Sequence, residues 1–541
     1  MTRFLSTWVG VDNEAHVAVT VGGDVAETAA SLTPTLVEER VASRLGASDP
    51  TLWGAGAEAD ARLQLGWTDL HETARRHLGP LEELFVDLRG EGVTRVVLVG
   101  MGGSTLAPDV ICATYGVPLV TLDSTAPAQV RKAVGGDLSA TVVVVSSKSG
   151  ATVETEALRE TVEEAFRAQG IDPRRRIVAV TDPGSPLEAK ARAVPYRALF
   201  LDDPHVGGKF SALSAFGLVP AALAGVPVLE VLDEAAAVAA SLEEDDLANP
   251  ALVLAAALAG PRSTLVVSDH GSGLVGLADW VEQLVADSTG KDGVGVLPVV
   301  AAPAAPDLRQ GDAIDCRLVA LSADDDGTGA EITVGGTLGG QLLLWEHAVT
   351  IACRLLGVSP FDEPDLEASK AATRDLLGSP APHGDPAFVD DAIEVRGSAT
   401  LLDGVDTVAD ALTRLEDCVG ADGYLAVLAY LDRDSGNGLP HSRRPLAQRL
   451  SRPVTFGWGP RYLHSSGQLH KGGPRTGVFL LLTADFEEDL EIPGLPYTFG
   501  TLTRAQAEGD AHALEAIGRP VLRLHLTHRS QVARVAALLE G

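Results

Sequence analysis

Residues 142–145 are four valines in succession. A β-branched run without alternation predicts a strand buried on both faces, as in a parallel sheet. From Thr152 the apolar spacing turns helical and runs to Gly170, a glycine suited to closing a helix. The same strand-then-helix rhythm fills residues 94–230, with strands predicted at 94–99, 117–122, 141–146 and 176–181. It resumes near 262 with a strand at 265–267 and a helix at 274–286, whose apolar face holds Leu274, Leu277, Val281 and Leu284. A further helix is predicted over 338–357. Residues 380–390, rich in Pro, Gly and Asp, read as a linker, and strands follow near 393–396, 424–430, 477–482 and 521–526. Residues 1–90 carry helical patterns near 35–45 and 71–89 and are expected to form an N-terminal helical cover. The pattern predicts the α/β class: two doubly wound parallel-sheet units with flanking helices, over 91–235 and 260–541. No repeat of 20–50 residues and no low-complexity tract interrupts it.

Length and composition narrow the possibilities. A chain of 541 residues is too long for one core. Its hydrophobic content of 45% and mean hydropathy of +0.15 fit a well-buried globular protein, and no apolar run is long enough for a membrane span. The N-terminus lacks an uninterrupted apolar segment of the signal-peptide kind. The formal charge of −32 disfavours nucleic acid and anionic membrane as partners. A phosphorylated substrate stays possible if the site builds its own positive field. Cys112, Cys316, Cys353 and Cys418 stand singly, which disfavours structural zinc and a disulfide framework and fits a cytoplasmic location.

Several loops carry residues that packing alone does not explain. Ser147, Lys148, Ser149 and Thr152 lie between a strand and a helix N-terminus, where hydroxyls, N–H groups and the helix dipole can converge on an anion. The other reading is an ordinary β-to-α turn rich in capping residues. The stretch from Gly100 to Thr105 approaches the dinucleotide fingerprint, but Thr105 occupies the third glycine position. With Asp123 as a ribose-binding acid, a nicotinamide enzyme stays one reading. Close contact of Gly103 and Ser104 with a sugar phosphate is the other. Lys209 follows two glycines and is expected at the entrance of an apolar helix running to about Ala224, where a cation opposes the dipole. Gln283 and Asp287 are four apart and share a helical face, closed by Gly290. They read either as a site or as a solvated polar face. Glu346 and His347 are adjacent, point in different directions and are no metal pair. The loop 462–474, with His464, His470, Lys471 and three glycines, is not a packing segment.

Together these stretches resemble the glucose-6-phosphate isomerase family, a two-unit sugar-isomerase fold. The resemblance is closest to the isomerase half of bifunctional transaldolase/phosphoglucose isomerase fusions. It spans roughly residues 50–530 and leaves no stretch for a transaldolase barrel. It implies that Gly103 and Ser104 contact the sugar phosphate and that Ser147, Lys148, Ser149 and Thr152 hold the phosphate. It implies that Gln283 binds substrate, and that Lys209 stands where the family usually carries the arginine that stabilises the enediolate. Asp287 stands where the family's glutamate takes the C2 proton. Lys370 matches a ring-opening lysine and His464 the ring-opening histidine, which here follows Lys370 instead of preceding it. Glu363 stands where the family has glutamine.

The implied function is interconversion of glucose 6-phosphate and fructose 6-phosphate through acid–base ring opening and a cis-enediolate, with Asp287 ionised in the free enzyme as the base. The chemistry needs no cofactor and no metal if an ammonium supplies the cation. The expected partner is a small sugar phosphate, with a homodimer possible. Two departures, aspartate at 287 and lysine at 209, fall on the hardest steps, since lysine lacks the guanidinium fork. The alternatives are another phosphosugar isomerase and a sugar-phosphate-binding protein with weakened catalysis.

Overall fold

The computed structural model describes residues 4–11, 14–302, 316–323, 329–378, 384–434 and 438–541. Its strands are β1 Phe4–Val11, β2 Glu14–Gly22, β3 Arg95–Val99, β4 Val120–Leu122, β5 Thr141–Ser146, β6 Ile177–Thr181, β7 Ala198–Leu201, β8 Thr264–Asp269 and β9 Leu297–Val300. There follow β10 Cys316–Leu321, β11 Ile332–Gly336, β12 Phe388–Asp390, β13 Ile393–Gly397, β14 Tyr424–Tyr430, β15 Val454–Trp458, β16 Gly477–Ala484 and β17 Val521–Leu526. They form three sheets ordered β4-β3-β5-β6-β7, β1-β2-β11-β10-β8-β9 and β12-β13-β17-β16-β14-β15.

The first sheet is parallel throughout. All six residues of β5 are buried, because helices cover both faces. From β3 the chain steps to β4 on one side and to β5 on the other. The connections therefore diverge between β3 and β5, and a crevice opens at their carboxyl ends. The loops after these two strands are those that carry Gly103, Ser104, Ser147, Ser149 and Thr152.

The α/β class with parallel-dominated sheets and flanking helices is the observed one, but its division along the chain differs from the expectation. Residues 1–90 are not wholly a helical cover, since β1 and β2 form a hairpin that joins the second sheet by antiparallel pairing of β2 with β11. Val17, Val19 and Val21 are fully buried while His16, Ala18 and Thr20 are not, a period-two pattern in the sequence. The helix expected at 35–45 is two helices, Gly23–Glu38 and Val41–Gly46, separated at Arg40 with φ +57°. The single unit expected over 260–541 is divided between two sheets, one holding β8 to β11 and the other β12 to β17. Of the expected linker at 380–390, residues up to 383 lie outside the described residues, and 388–390 is strand β12.

The third sheet docks on both others through apolar contact. Val266, Leu297 and Val299 share a core with Tyr424, Leu428 and Phe479, while Val145 and Phe166 share one with Phe499 and Leu502. This docking brings residues 461–472 to the crevice of the first sheet. Against β2 and β11 of the second sheet runs Leu338–Leu356, a helix apolar enough on all sides to be buried almost throughout. Among the described residues no helix is long and apolar enough to cross a membrane.

Candidate active site

The loop after β5 gathers hydroxyls and backbone N–H groups at a helix N-terminus. Thr152 is the N-cap of the helix Val153–Ala168, yet its side chain does not cap it, so the first-turn N–H groups stay available. Its hydroxyl lies 3.2 Å from Ser147 Oγ, which accepts from Gly150 N at 3.1 Å. Ser149 Oγ accepts from Ala151 N at 3.2 Å. Lys148 departs from the expectation: its Nζ is 2.6 Å from Asp182 Oδ2 on the loop after β6, so its charge is already matched by a carboxylate.

The glycines after β3 let other loops approach. A Cβ on Gly103 would sit 2.1 Å from Gly208 O, and one on Gly102, whose φ is +61°, 3.0 Å from His464 O. Glycine is thus required for three loops to meet, and Ser104 is buried beside them. Thr105 is fully buried, with its hydroxyl donating to Gly102 O at 3.0 Å.

Lys209 does not enter a long helix as expected. It lies in the single 3₁₀ turn Gly208–Phe210, and the following helix Ala215–Ala224 is capped by Ser214. Phe210 stacks on Trp67 at 5.3 Å and fixes that turn. The buried Lys209 Nζ lies 3.4 Å from Asp287 Oδ2 and 3.5 Å from Glu363 Oε1, and donates to Asp287 O at 3.2 Å. Burial alone would lower the ammonium pKa, but the two carboxylates raise it above its usual value.

Gln283 and Asp287 lie, both buried, on the helix Leu277–Thr289, so the solvated-face reading is excluded. Gln283 Nε2 donates to His464 O at 2.6 Å. Asp287 Oδ1 is buried without a hydrogen-bond partner among the described residues. Burial, with Glu363 nearby, pushes the Asp287 carboxyl up to about 7 against the pull of Lys209 and Lys291. The expectation of an ionised Asp287 in the free protein therefore does not hold across the whole neutral range. Lys291 Nζ is occupied by Ser359 O at 2.5 Å and Asp362 Oδ1 at 3.0 Å.

His464 lies after β15 of the third sheet, in the 3₁₀ turn Arg461–His464. Its Nε2 is 3.1 Å from Glu154 Oε1, which also accepts from Gln506 Nε2 at 2.7 Å. Burial pushes the Glu154 carboxyl up, but His464 and Lys370 outweigh it and hold the pKa below the usual range. Lys370 is exposed on the helix Glu367–Gly378 and lines, with Ser149, Thr152, Glu154, His464 and Gln506, a cavity of about 290 Å³. His470 and Lys471, in the same sequence stretch as His464, have structural partners: Tyr424 Oη at 2.8 Å and Asp510 Oδ1 at 2.6 Å.

Sequence reasoning passed over Glu154 and Gln506. An acid in the first turn of a helix is the ordinary response to the dipole, so Glu154 gave no separate signal. Gln506, 352 residues away, gave none at all.

Residues 84–292 match the family model described as phosphoglucose isomerase. A probable glucose-6-phosphate isomerase of Natronomonas pharaonis is 31% identical over 338 residues, which span 52% of this chain and 79% of that protein. The chain belongs to the phosphoglucose isomerase family. A second member, the glucose-6-phosphate isomerase of Symbiobacterium thermophilum, is 29% identical over 58% of this chain and 87% of its own length. Other family members match over less: the Cyanothece enzyme is 35% identical over 41% of its length. Among solved structures, a glucose-6-phosphate isomerase from Chlamydia trachomatis shares the fold at TM-score 0.55 and 20% identity, over 70% of this chain and 91% of that one. A hypothetical protein from Thermus thermophilus matches at TM-score 0.53 and 25% identity, covering 65% of this chain and 97% of that one. The matched segment 84–292 carries the two loops of the first sheet, Lys209, Gln283 and Asp287. It stops short of Glu363, Lys370 and His464.

Proposed function

We propose that the chain interconverts glucose 6-phosphate and fructose 6-phosphate, with the phosphate anchored at the crevice of the first sheet. Ser147, Ser149, Thr152 and Ser104 bind it with the N-terminus of the helix Val153–Ala168, a local positive field on a chain of net charge −32. Lys148 contributes less than its position implies, because Asp182 holds it. His464, steadied by Glu154, and Lys370 exchange protons with the ring oxygen and the anomeric hydroxyl to open the ring. Asp287 then takes the C2 proton and returns it to C1, as the hydroxyl proton moves between O2 and O1. Lys209 stabilises the negative charge on the intermediate enediolate oxygen, and Gln283 holds the substrate and the His464 backbone together.

The observation that carries this reading is the meeting of a buried carboxylate and a buried ammonium, Asp287 and Lys209 at 3.4 Å, beside an anion cradle from another element. The test is a coupled assay with fructose 6-phosphate, run against the 6-phosphate of mannose and the 7-phosphate of sedoheptulose. Turnover confined to fructose and glucose 6-phosphates supports the proposal. Preference for another phosphosugar, or binding without turnover, replaces it.

The cysteines at 112, 353 and 418 are free thiols, which supports a reducing cytoplasmic location. The family resemblance supports a homodimer. Each group assigned above comes from one chain, so sedimentation at assay concentration is the measurement that decides the assembly.

A further inference from the structure

Lys209 is shared. Its Nζ is 3.4 Å from Asp287 Oδ2 and 3.5 Å from Glu363 Oε1, so one ammonium stands between two carboxylates. The two carboxylates differ in setting. Asp287 is buried, with Oδ1 unpartnered, whereas the Glu363 side chain is 37% exposed at the mouth of the site. Among the described residues the other lysine that acts on Asp287, Lys291, is already bound by Ser359 O and Asp362. The remaining ionisable neighbours are the Cys353 thiol, which burial pushes up to about 12, and Lys370 and His464, whose charges act on Glu363.

Two carboxylates that share one buried ammonium do not both ionise at low cost. The deeper one, with an oxygen that water does not reach, holds a proton more readily. We propose that Glu363 tunes the proton transfer: it divides Lys209 with Asp287, so the unliganded site keeps one proton on the pair, on Asp287, which becomes the base as that proton leaves. This rests on the isomerase reading for its kinetic consequence, but not for the protonation itself. Glutamine at 363 would leave Lys209 to Asp287 alone and favour the ionised aspartate. A base tuned near the operating pH is stronger than one held ionised by a tight ion pair. A glutamate at this position thus keeps the shorter Asp287 reactive beside a lysine.

The experiment uses full-length protein with Glu363→Gln and Glu363→Asp. In Glu363→Gln the acid limb of the kcat profile moves to lower pH by roughly one unit or more. The kcat plateau falls and KM changes little, while Glu363→Asp keeps the wild-type limb. Separately, infrared spectra of unliganded wild-type protein at neutral pH carry a protonated-carboxyl C=O band that Asp287→Asn and Glu363→Gln both remove. An unmoved acid limb in folded Glu363→Gln overturns the proposal, and so does a wild-type spectrum without that band. Absence of wild-type turnover refutes the isomerase reading instead, and the infrared comparison still decides the shared proton.

Discussion

Glu154→Gln tests whether the buried contact between Glu154 and His464 serves ring opening. The substitution keeps the side-chain shape, and the amide oxygen can still accept from Gln506, now at 2.7 Å. It removes the negative charge 3.1 Å from His464 Nε2. A hydrogen bond to a charged group contributes about 1.5–3 kcal/mol, so the ring-opening step should slow roughly 10- to 150-fold. The assay compares two substrates. Fructose 6-phosphate is largely cyclic and needs the ring step. A four-carbon aldose 4-phosphate cannot close a ring, because the hydroxyl that would attack is esterified, so its C2 proton exchange with heavy water reports only the later step. Turnover of fructose 6-phosphate should fall by the stated factor, with exchange of the acyclic substrate nearly unchanged. Equal loss on both substrates would refute the reasoning, since Glu154 would then support the whole site. Wild-type kinetics on both would show the contact to be packing.

Four further outcomes follow from the same geometry. Asp287→Asn should abolish deuterium incorporation into fructose 6-phosphate and leave phosphate-competitive binding nearly intact. Because the native Asp287 carboxyl is pushed up to about 7 from an ordinary 3.8, the folded state binds more protons than the unfolded one between those values, and its stability falls as pH rises through that window. Asp287→Asn should therefore raise Tm relative to wild type more at pH 8 than at pH 4, as read by scanning calorimetry. Ser147→Ala with Thr152→Ala should raise KM for fructose 6-phosphate by more than about tenfold, from about 1.5–3 kcal/mol per lost bond to a charged group; an unchanged KM places the phosphate elsewhere. Lys209→Ala should lower kcat more than it raises KM, with activity kept in Lys209→Arg, and wild-type kinetics in the alanine variant would remove Lys209 from the reaction.

Local pattern carried far in this chain. The valine run, the glycine pair and the hydroxyl-rich turn located β5 and the loops that line the crevice, because these depend on short-range periodicity and on the polar residues that start a helix. Helical spacing alone placed Gln283 and Asp287 on one face. Pairing across long separations was not legible. Strand β2 alternates over residues 16–21, but nothing in it names β11, more than 300 residues on, as its partner. The split of 260–541 into two sheets was hidden for the same reason, since each strand reads alike whichever neighbour it joins. The electrostatics of the site belong to tertiary structure altogether. The ion pair of Lys148 with Asp182, the contact of Glu154 with His464, and the burial and Glu363 neighbour that raise the Asp287 carboxyl all join residues that no local pattern links. A sequence fixes which groups ionise, but the fold sets the dielectric and the neighbours that decide when.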